Sequence, residues 1–190
     1  MIYPIVAYGD PVLNKVSRAI AQEEYDVKKL ADDMFETMYA ANGVGLAAPQ
    51  IGMGIRLFVI DTTHMHEEEE LEVNPGLAVK QAFVNAQILE ETGEPWAFEE
   101  GCLSIPGIRA DVLRPPVVKI RYFDADWQEH TVSYDGVVAR VIQHEYDHIE
   151  GKLFTDYLSP VKKRLLKTRL AGISRGQTKT DYRMRYPQVR

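Results

Sequence analysis

Two histidines four residues apart suggest a metal site. If this segment is helical, His144 and His148 lie on the same side, one turn apart. Their imidazole nitrogens can then bind one divalent metal, and Glu145 can act as general base toward a water molecule that the metal activates. Burying such polar residues is costly unless they are paired or bind metal. The pattern therefore predicts a metal-dependent hydrolase, the alternative being a surface helix with histidines at chance spacing.

The third ligand decides which class of hydrolase this is, because such a metal uses three protein ligands and one open position. One protease group places a histidine six residues after the second histidine, where this chain has Phe154. Another uses a downstream glutamate, but no glutamate follows Glu150. Cys102, in a segment punctuated by glycine and proline, remains the candidate thiolate ligand. The alternative is that this cysteine is a small buried apolar residue.

Composition favours one globular domain. The chain has 190 residues, 45% hydrophobic and 26% charged, which is ordinary for a soluble protein with a sizeable core. No apolar run is long enough to cross a membrane, and the N-terminal residues lack the basic region of a secretory signal. The single cysteine excludes an intramolecular disulfide and fits a reducing compartment. We therefore expect a cytoplasmic protein without membrane contact.

Charge is unevenly distributed along the chain. Residues 161–190 carry ten lysines and arginines against one acid, a net charge of +9. Because the whole chain has a net charge of −6, residues 1–160 have a net charge of −15. A basic tail of this kind suggests contact with a polyanion, most plausibly RNA. A solvated end that only aids solubility is an equal alternative. The sequence predicts no specific DNA binding.

Apolar periodicity predicts the helices. Apolar residues that recur every three or four positions from Val27 to Ala41 indicate an amphipathic helix that Asp26 caps. A second, buried helix over residues 137–149 carries the histidines. A third begins at Ser159 and Pro160, with an apolar stripe opposite most of its basic residues. That stripe consists of Val161, Leu165, Leu166 and Leu170.

The remaining segments predict short strands and loops. Strands are expected at residues 55–60, 82–84, 87–90, 117–123 and 131–134, the last two as an antiparallel hairpin. The acidic residues 61–80 predict an exposed, mobile loop in which His64 and His66 are solvated. The predicted fold class is α+β, with short, mainly antiparallel sheets around a central buried metal-binding helix and a C-terminal helix. We expect residues 1–172 to form a single catalytic domain and residues 173–190 to form a disordered basic tail.

The glycine-rich residues 43–52 do not predict a nucleotide site. Residues 43–48 match the dinucleotide-binding fingerprint by letters alone. However, a helix precedes them, and Pro49 removes a donor where a phosphate-binding helix should begin. The segment is either a plain loop or a turn that lets backbone approach a ligand closely, with Gln50 as its strong side-chain donor.

Three segments together resemble the signature motifs of the peptide deformylase family. They are residues 43–50 (GVGLAAPQ), 100–104 (EGCLS) and 143–148 (QHEYDH), and the resemblance covers roughly residues 1–170. It departs from the family in a longer acidic connection at 61–80 and in Ala86, where a proline often follows Asn85. The resemblance implies a hydrolase that removes the formyl group from the N-terminal formylmethionine of nascent polypeptides and releases formate.

The resemblance also implies roles for individual residues. Cys102, His144 and His148 would bind one divalent metal. The family typically uses iron as Fe²⁺, and Ni²⁺, Co²⁺ or Zn²⁺ can substitute. Glu145 would be the general base. The remaining roles are oxyanion donors (the Gln50 amide and the Leu103 N–H), backbone pairing with substrate (Gly45), a methionine pocket (Val44, Val137 and Val141) and polar groups that support substrate binding (Glu100 and Arg109).

Two rival functions remain open from the sequence. A zinc endopeptidase of the HExxH type would cleave internal peptide bonds, whereas a deformylase releases formate from formyl-Met-Ala-Ser. A structural metal site in an RNA-binding protein, suggested by the basic tail, would tolerate Glu145→Gln, which a hydrolase would not.

Overall fold

The computed structural model describes residues 1–65 and 78–187. Its strands are β1 (Ile5–Val6), β2 (Gly45–Ala47), β3 (Leu57–Asp61), β4 (Lys80–Thr92), β5 (Trp96–Cys102), β6 (Ile105–Arg114), β7 (Val117–Phe123), β8 (Glu129–Asp135) and β9 (Met184–Arg185), and its helices are α1 (Val27–Ala40), α2 (Gly136–Ile149) and α3 (Pro160–Ser174). An antiparallel sheet of five strands in the order β2-β3-β4-β7-β8 lies between α1 and α2. The predicted α+β class, with a central helix and a C-terminal helix, is confirmed.

Strand β3 shows why the sheet needs a helix on each face. All its residues are buried. Leu57 and Val59 pack in the α1 cluster, whereas Phe58 and Ile60 pack in the α2 cluster. A strand covered on both faces is a continuous apolar run without alternation. Helix α1 itself begins as predicted, since the Asp26 carboxylate accepts from the Lys29 N–H at 3.1 Å.

Strand β4 spans a region where the sequence predicts two short strands. It is one long strand whose pairing with β7 shifts register between Val84 and Gln87. At the shift Asn85 has φ of +50°, and its side-chain amide bonds to both the N–H and the carbonyl of Ile20, at 2.9 and 2.8 Å. The break in the apolar pattern is therefore a β-bulge, not a turn.

Strands β5 and β6 form a hairpin in a part of the chain for which the sequence pattern predicts no strand. Cys102 pairs with Ile105 across a tight turn formed by Leu103 and Ser104. The inward residues of β6 pack against Leu170 and Ile173 of α3. Pro106 and Gly107, the latter with φ of +72°, hide the strand pattern in the sequence.

Helix α3 packs through only part of its predicted stripe. Ser159 caps it, accepting from the Lys162 N–H at 3.3 Å. Leu170 is buried, but Val161 and Leu165 are 70% and 74% exposed. Leu166 is half-buried against the same hydrophobic cluster as Leu170. The predicted stripe therefore packs at Leu166 and Leu170 but stays exposed at Val161 and Leu165.

The chain after α3 differs from the predicted disordered tail. Up to residue 187 it returns to the domain, where β9 pairs in parallel with β1. The Ile5 and Ala7 N–H groups donate to the Arg183 and Arg185 carbonyls, at 2.8 and 2.9 Å. Half-buried and exposed side chains alternate from residue 181 to 186. This is the period of a strand, which the high charge of the segment obscures.

The acidic connection is described only at its ends. Asp61 ends β3, and Thr63–Met65 form a 3₁₀ turn. Residues 66–77, with His66 and most of the predicted loop, lie outside the described residues. No helix among the described residues is long and apolar enough to span a membrane.

Candidate active site

Helix α2 and the end of β5 bring the three predicted ligands together. One ligand atom from each of Cys102, His144 and His148 lies within 4.8 Å of the others. The Cys102 Sγ is 3.3 Å from the His148 Nε2, and the two imidazole centroids are 5.1 Å apart. The helical spacing predicts the histidine pair, and the tight turn after β5 aims the thiol at it. The three residues could hold one metal ion.

Glu100 fixes the orientation of His144. Its carboxylate hydrogen-bonds to the His144 Nδ1 at 2.9 Å, which leaves Nε2 as the ring atom available to a metal. The same carboxylate accepts two bonds from Arg114, at 2.7 and 3.0 Å, and one from Arg140, at 3.1 Å. Burial would raise the pKa of Glu100, but the bonds with His144 and Arg114 outweigh it and hold the pKa well below its usual range. The buried carboxylate is therefore charged and fully engaged by protein groups.

Sequence reasoning missed most of this charge network. Arg114 also donates to Asp147 at 2.7 Å, and Asp147 accepts from the Tyr157 hydroxyl at 2.9 Å. Arg140 donates to the Trp96 carbonyl at 2.7 Å and lies over the Trp96 ring, 4.6 Å from its centroid. The available signal was Arg140 itself, because an arginine within an apolar helical run needs a buried acidic partner.

Glu145 lies on the cavity side of α2. Its Oε2 is buried and has no hydrogen-bond partner among the described residues. Gly45 faces it so closely that a Cβ atom at position 45 would lie 2.7 Å from the Glu145 Cδ, so any other residue there would displace the Glu145 carboxylate. Burial raises the pKa of Glu145 to about 7. A carboxyl with this pKa can both accept and return a proton near neutral pH.

The donor set fits a divalent metal. Burial and the neighbouring His144 hold the pKa of His148 well below its ordinary value, so its imidazole is neutral, the form that binds metal. One thiolate and two imidazoles suit zinc and the neighbouring first-row divalent ions. The unpaired Glu145 oxygen next to this set is a group that bound water would satisfy.

Gln50 connects the glycine-rich segment to the cysteine turn. Its Oε1 accepts from the Ala47 N–H at 2.9 Å, so the amide is oriented by backbone. Its Nε2 then lies 3.3 Å from the Ser104 Oγ and 3.5 Å from the Cys102 Sγ. The predicted donor therefore points at the metal-ligand cluster.

A cavity of about 660 Å³ joins these groups. Arg109 lies at its exposed rim, where it donates to Glu99 at 2.8 Å. Val137 is not among the lining residues and packs instead between α2 and the sheet. The sequence did not indicate Phe98, Ile108 or residues 179–182, which also line the cavity. The predicted residues in the lining are Val44, Gly45, Gln50, Glu100, Cys102, Leu103, Arg109, Val141, His144 and Glu145.

Comparison with known proteins identifies the family. A polypeptide deformylase family model matches residues 2–164. The peptide deformylase of Cytophaga hutchinsonii is 58% identical over 187 residues, 98% of each chain, and that of Christiangramia forsetii is 52% identical over 193 residues, 100% of this chain and 98% of the relative.

Solved structures agree with this match. The crystal structure of a peptide deformylase from Legionella pneumophila has a TM-score of 0.79 at 36% identity, covering 93% of this chain and 98% of its own. That of the Ehrlichia chaffeensis peptide deformylase has a TM-score of 0.81 at 32% identity, covering 93% and 99%. These relatives are deformylases, so the HExxH endopeptidase and the structural-metal alternatives are not supported. The chain belongs to the polypeptide deformylase family.

Proposed function

We propose that this protein removes the formyl group from the N-terminal formylmethionine of nascent polypeptides and releases formate. The observation that carries the proposal is the cluster of Cys102, His144 and His148, of which Cys102 and His144 line one cavity together with Glu145. The Glu145 Oε2 has no hydrogen-bond partner among the described residues. A chain of this family with this set of groups has what amide hydrolysis needs: a metal site, a base and room for a peptide end.

Cys102, His144 and His148 would hold one divalent metal, which we propose to be Fe²⁺, with Ni²⁺, Co²⁺ or Zn²⁺ as substitutes. When bound, the metal would act as a Lewis acid that polarises the formyl carbonyl and lowers the pKa of water. Glu100 keeps the His144 ring in the orientation that presents Nε2. Glu100 is therefore a positioning residue, a role that differs from the substrate-binding one suggested by resemblance.

Glu145 carries the proton transfers. It takes a proton from the water whose oxygen bonds to the formyl carbon. It then gives that proton to the amine nitrogen as the carbon–nitrogen bond breaks, which yields formate and a free amino terminus. Its buried position beside Gly45 keeps the carboxylate next to the reacting atoms.

The oxyanion that forms during attack needs fixed donors. The Gln50 amide and the Leu103 N–H are the groups we assign to it, and one such donor is typically worth about 3–4 kcal/mol in the barrier. Val44, Val141 and the apolar lining at Phe98 and Ile108 would hold the methionine side chain. The Gly45 backbone would pair with the peptide and Arg109 would contact it at the rim.

Formate release from formyl-Met-Ala-Ser tests the proposal. The wild type should release formate, and Glu145→Gln should keep its metal but turn over at least about a hundredfold more slowly, as expected for loss of a general base. The matched control is Glu150→Gln, which removes a carboxylate from the same helix end, paired with Arg56 outside the cavity. Near-normal turnover in Glu145→Gln, or cleavage of unformylated protein without formate release, would contradict the proposal.

We further propose that the enzyme works in the cytoplasm and meets its substrates at the ribosome through the basic surface of α3. Lys162, Lys163 and Lys167 are exposed there. Deleting residues 173–190 is a poor test, since it also removes β9 from its pairing with β1. Reversing the three lysines to glutamate leaves that pairing intact.

The triple reversal should weaken ribosome co-sedimentation and reduce its salt dependence by about 0.7–0.9 in log–log slope for each phosphate that is no longer neutralised. The control reverses the exposed Lys15, Lys119 and Lys152, which gives the same charge change elsewhere on the surface. Equal binding by the two triple variants would refute a specific role for α3.

A further inference from the structure

The turn that follows Cys102 is held from three sides. The Gln50 Nε2 donates to the Ser104 hydroxyl at 3.3 Å, and the Tyr8 N–H donates to the Ser104 carbonyl at 2.9 Å. The third contact comes from the far end of the chain, where the Tyr182 hydroxyl donates to the Leu103 carbonyl at 2.7 Å. This turn places both the cysteine thiol and the backbone of Leu103, so whatever holds it also sets the site's geometry.

The segment that carries Tyr182 is anchored independently of the site. We call residues 177–187 the C-terminal strap. On the C-terminal side of Tyr182, β9 of the strap pairs with β1. On its N-terminal side, the Gln177 N–H donates to the Gly172 carbonyl at 2.8 Å. The Thr180 hydroxyl donates to the Tyr182 carbonyl at 2.7 Å, which orders the strap locally. A hydroxyl held between two such anchors can act as a fixed donor.

Tyr182 is suited to this contact. Its ring is half-buried and packs on the same hydrophobic cluster as Leu103. Burial, with a smaller contribution from Cys102, raises the pKa of Tyr182 well above its ordinary value, so the hydroxyl stays protonated and donates. The strap also reaches the cavity itself, because residues 179–182 belong to its lining together with Gly45 and Glu145.

We propose that Tyr182 is a positioning residue of the active site, and that through it the C-terminal strap holds the turn that carries Cys102 and Leu103. Its hydrogen bond fixes the peptide plane after Leu103 and so limits rotation of the residue whose N–H we assign to the oxyanion. The kinetic part of this inference rests on the proposed function. The structural part, that the hydroxyl orders the turn, does not.

Tyr182→Phe removes the hydroxyl and keeps the ring. With formyl-Met-Ala-Ser we expect kcat to fall about tenfold, because small misplacements of reacting groups are expensive, while KM and metal content change less than about twofold. The control is Tyr186→Phe, which removes a hydroxyl from the same strap. Tyr186 is half-buried, and its hydroxyl has no hydrogen bond to any residue that the structure describes. Its kcat should stay within about twofold of the wild type.

Hydrogen exchange separates this inference from the proposed function. In Tyr182→Phe the amides of residues 101–105 should exchange about fivefold faster, the change in opening that one neutral hydrogen bond provides, whereas Tyr186→Phe should leave them unchanged. A wild type that releases no formate would refute the proposed function, yet faster exchange in Tyr182→Phe alone would still support positioning. Unchanged exchange in Tyr182→Phe, or equal losses of kcat and thermal stability in both variants, would overturn the inference.

Discussion

The active site has two walls that are held in different ways. The helix wall, made of His144, Glu145 and His148 on α2, is supported by buried charges, where one glutamate and one aspartate bind two arginines. The turn wall, made of residues 102–104, is supported by neutral hydrogen bonds from Gln50, the Tyr8 backbone and Tyr182. Both walls must hold their ligands in register for one metal to contact all three.

This difference predicts how each wall fails. Removing one partner from a buried charge network leaves another charge without compensation, which costs several kcal/mol of folding free energy. Removing one neutral bond costs about 1 kcal/mol, because water or a neighbour can replace it. Damage to the helix wall should therefore appear as lost stability, whereas damage to the turn wall should appear mainly as lost rate.

The largest effect is expected for Arg114→Met. This change leaves Glu100 and Asp147 buried without their shared arginine, so the free energy of unfolding should fall by about 3–5 kcal/mol in urea titration. The matched control is Arg109→Met on the same strand, whose exposed pair with Glu99 should contribute less than about 1 kcal/mol. If the two variants lose equal stability, the helix wall does not depend on its buried charges.

Gln50→Ala tests the turn wall. We expect kcat for formate release to fall by about a hundredfold or more, since the side-chain donor that we assign to the oxyanion is lost. The free energy of unfolding should fall by about 1–3 kcal/mol, because the Ala47 N–H loses its buried acceptor. Ser104→Ala, which removes the Gln50 contact but keeps the amide, should lower kcat by only about fivefold. Equal rate losses in both variants would mean that Gln50 only braces the turn.

Tyr157→Phe is the smallest perturbation and examines the outer edge of the helix wall. It removes the hydroxyl that donates to Asp147 but keeps the ring under the Arg114 guanidinium, 4.8 Å from the ring centroid. Because Tyr157 is 46% exposed, water can replace the hydroxyl, and we expect a loss of about 1 kcal/mol in thermal or urea unfolding with normal kcat. If Tyr157→Phe loses as much free energy of unfolding as Arg114→Met, the network depends on its exposed hydroxyl as much as on its buried arginine.

The sequence predicts the chemistry of the site better than its support. His144 and His148 follow from helical spacing, and Cys102 from the absence of another third ligand and from the family motifs. The support comes from residues distant in the chain, such as Arg114 with Asp147, 33 positions apart, and Tyr182 with Leu103, 79 positions apart. No local periodicity encodes such pairs, since they depend on how the hairpin and the strap pack on α2.

The fold shows the same division. Helix α1 and its Asp26 cap follow from a local apolar period, and so does the hairpin of β7 and β8. The β5–β6 hairpin and β9 were missed because their patterns are interrupted, by Pro106 and Gly107 in one case and by high charge in the other. Their strand conformation is stabilised by tertiary partners, namely α3 for the hairpin and β1 for β9.

Metal content measured beside formate release, for the wild type and Cys102→Ala, tests the central claim most directly. The claim is that a ligand set spanning both walls makes this chain a deformylase. The wild type should hold about one divalent ion per chain and release formate from formyl-Met-Ala-Ser. Cys102→Ala should lose metal affinity by more than about a hundredfold, because removing a ligand costs more than removing a residue that only hydrogen-bonds to a ligand. Its formate release should fall with its metal. A Cys102→Ala protein that keeps its metal and its rate would contradict the account.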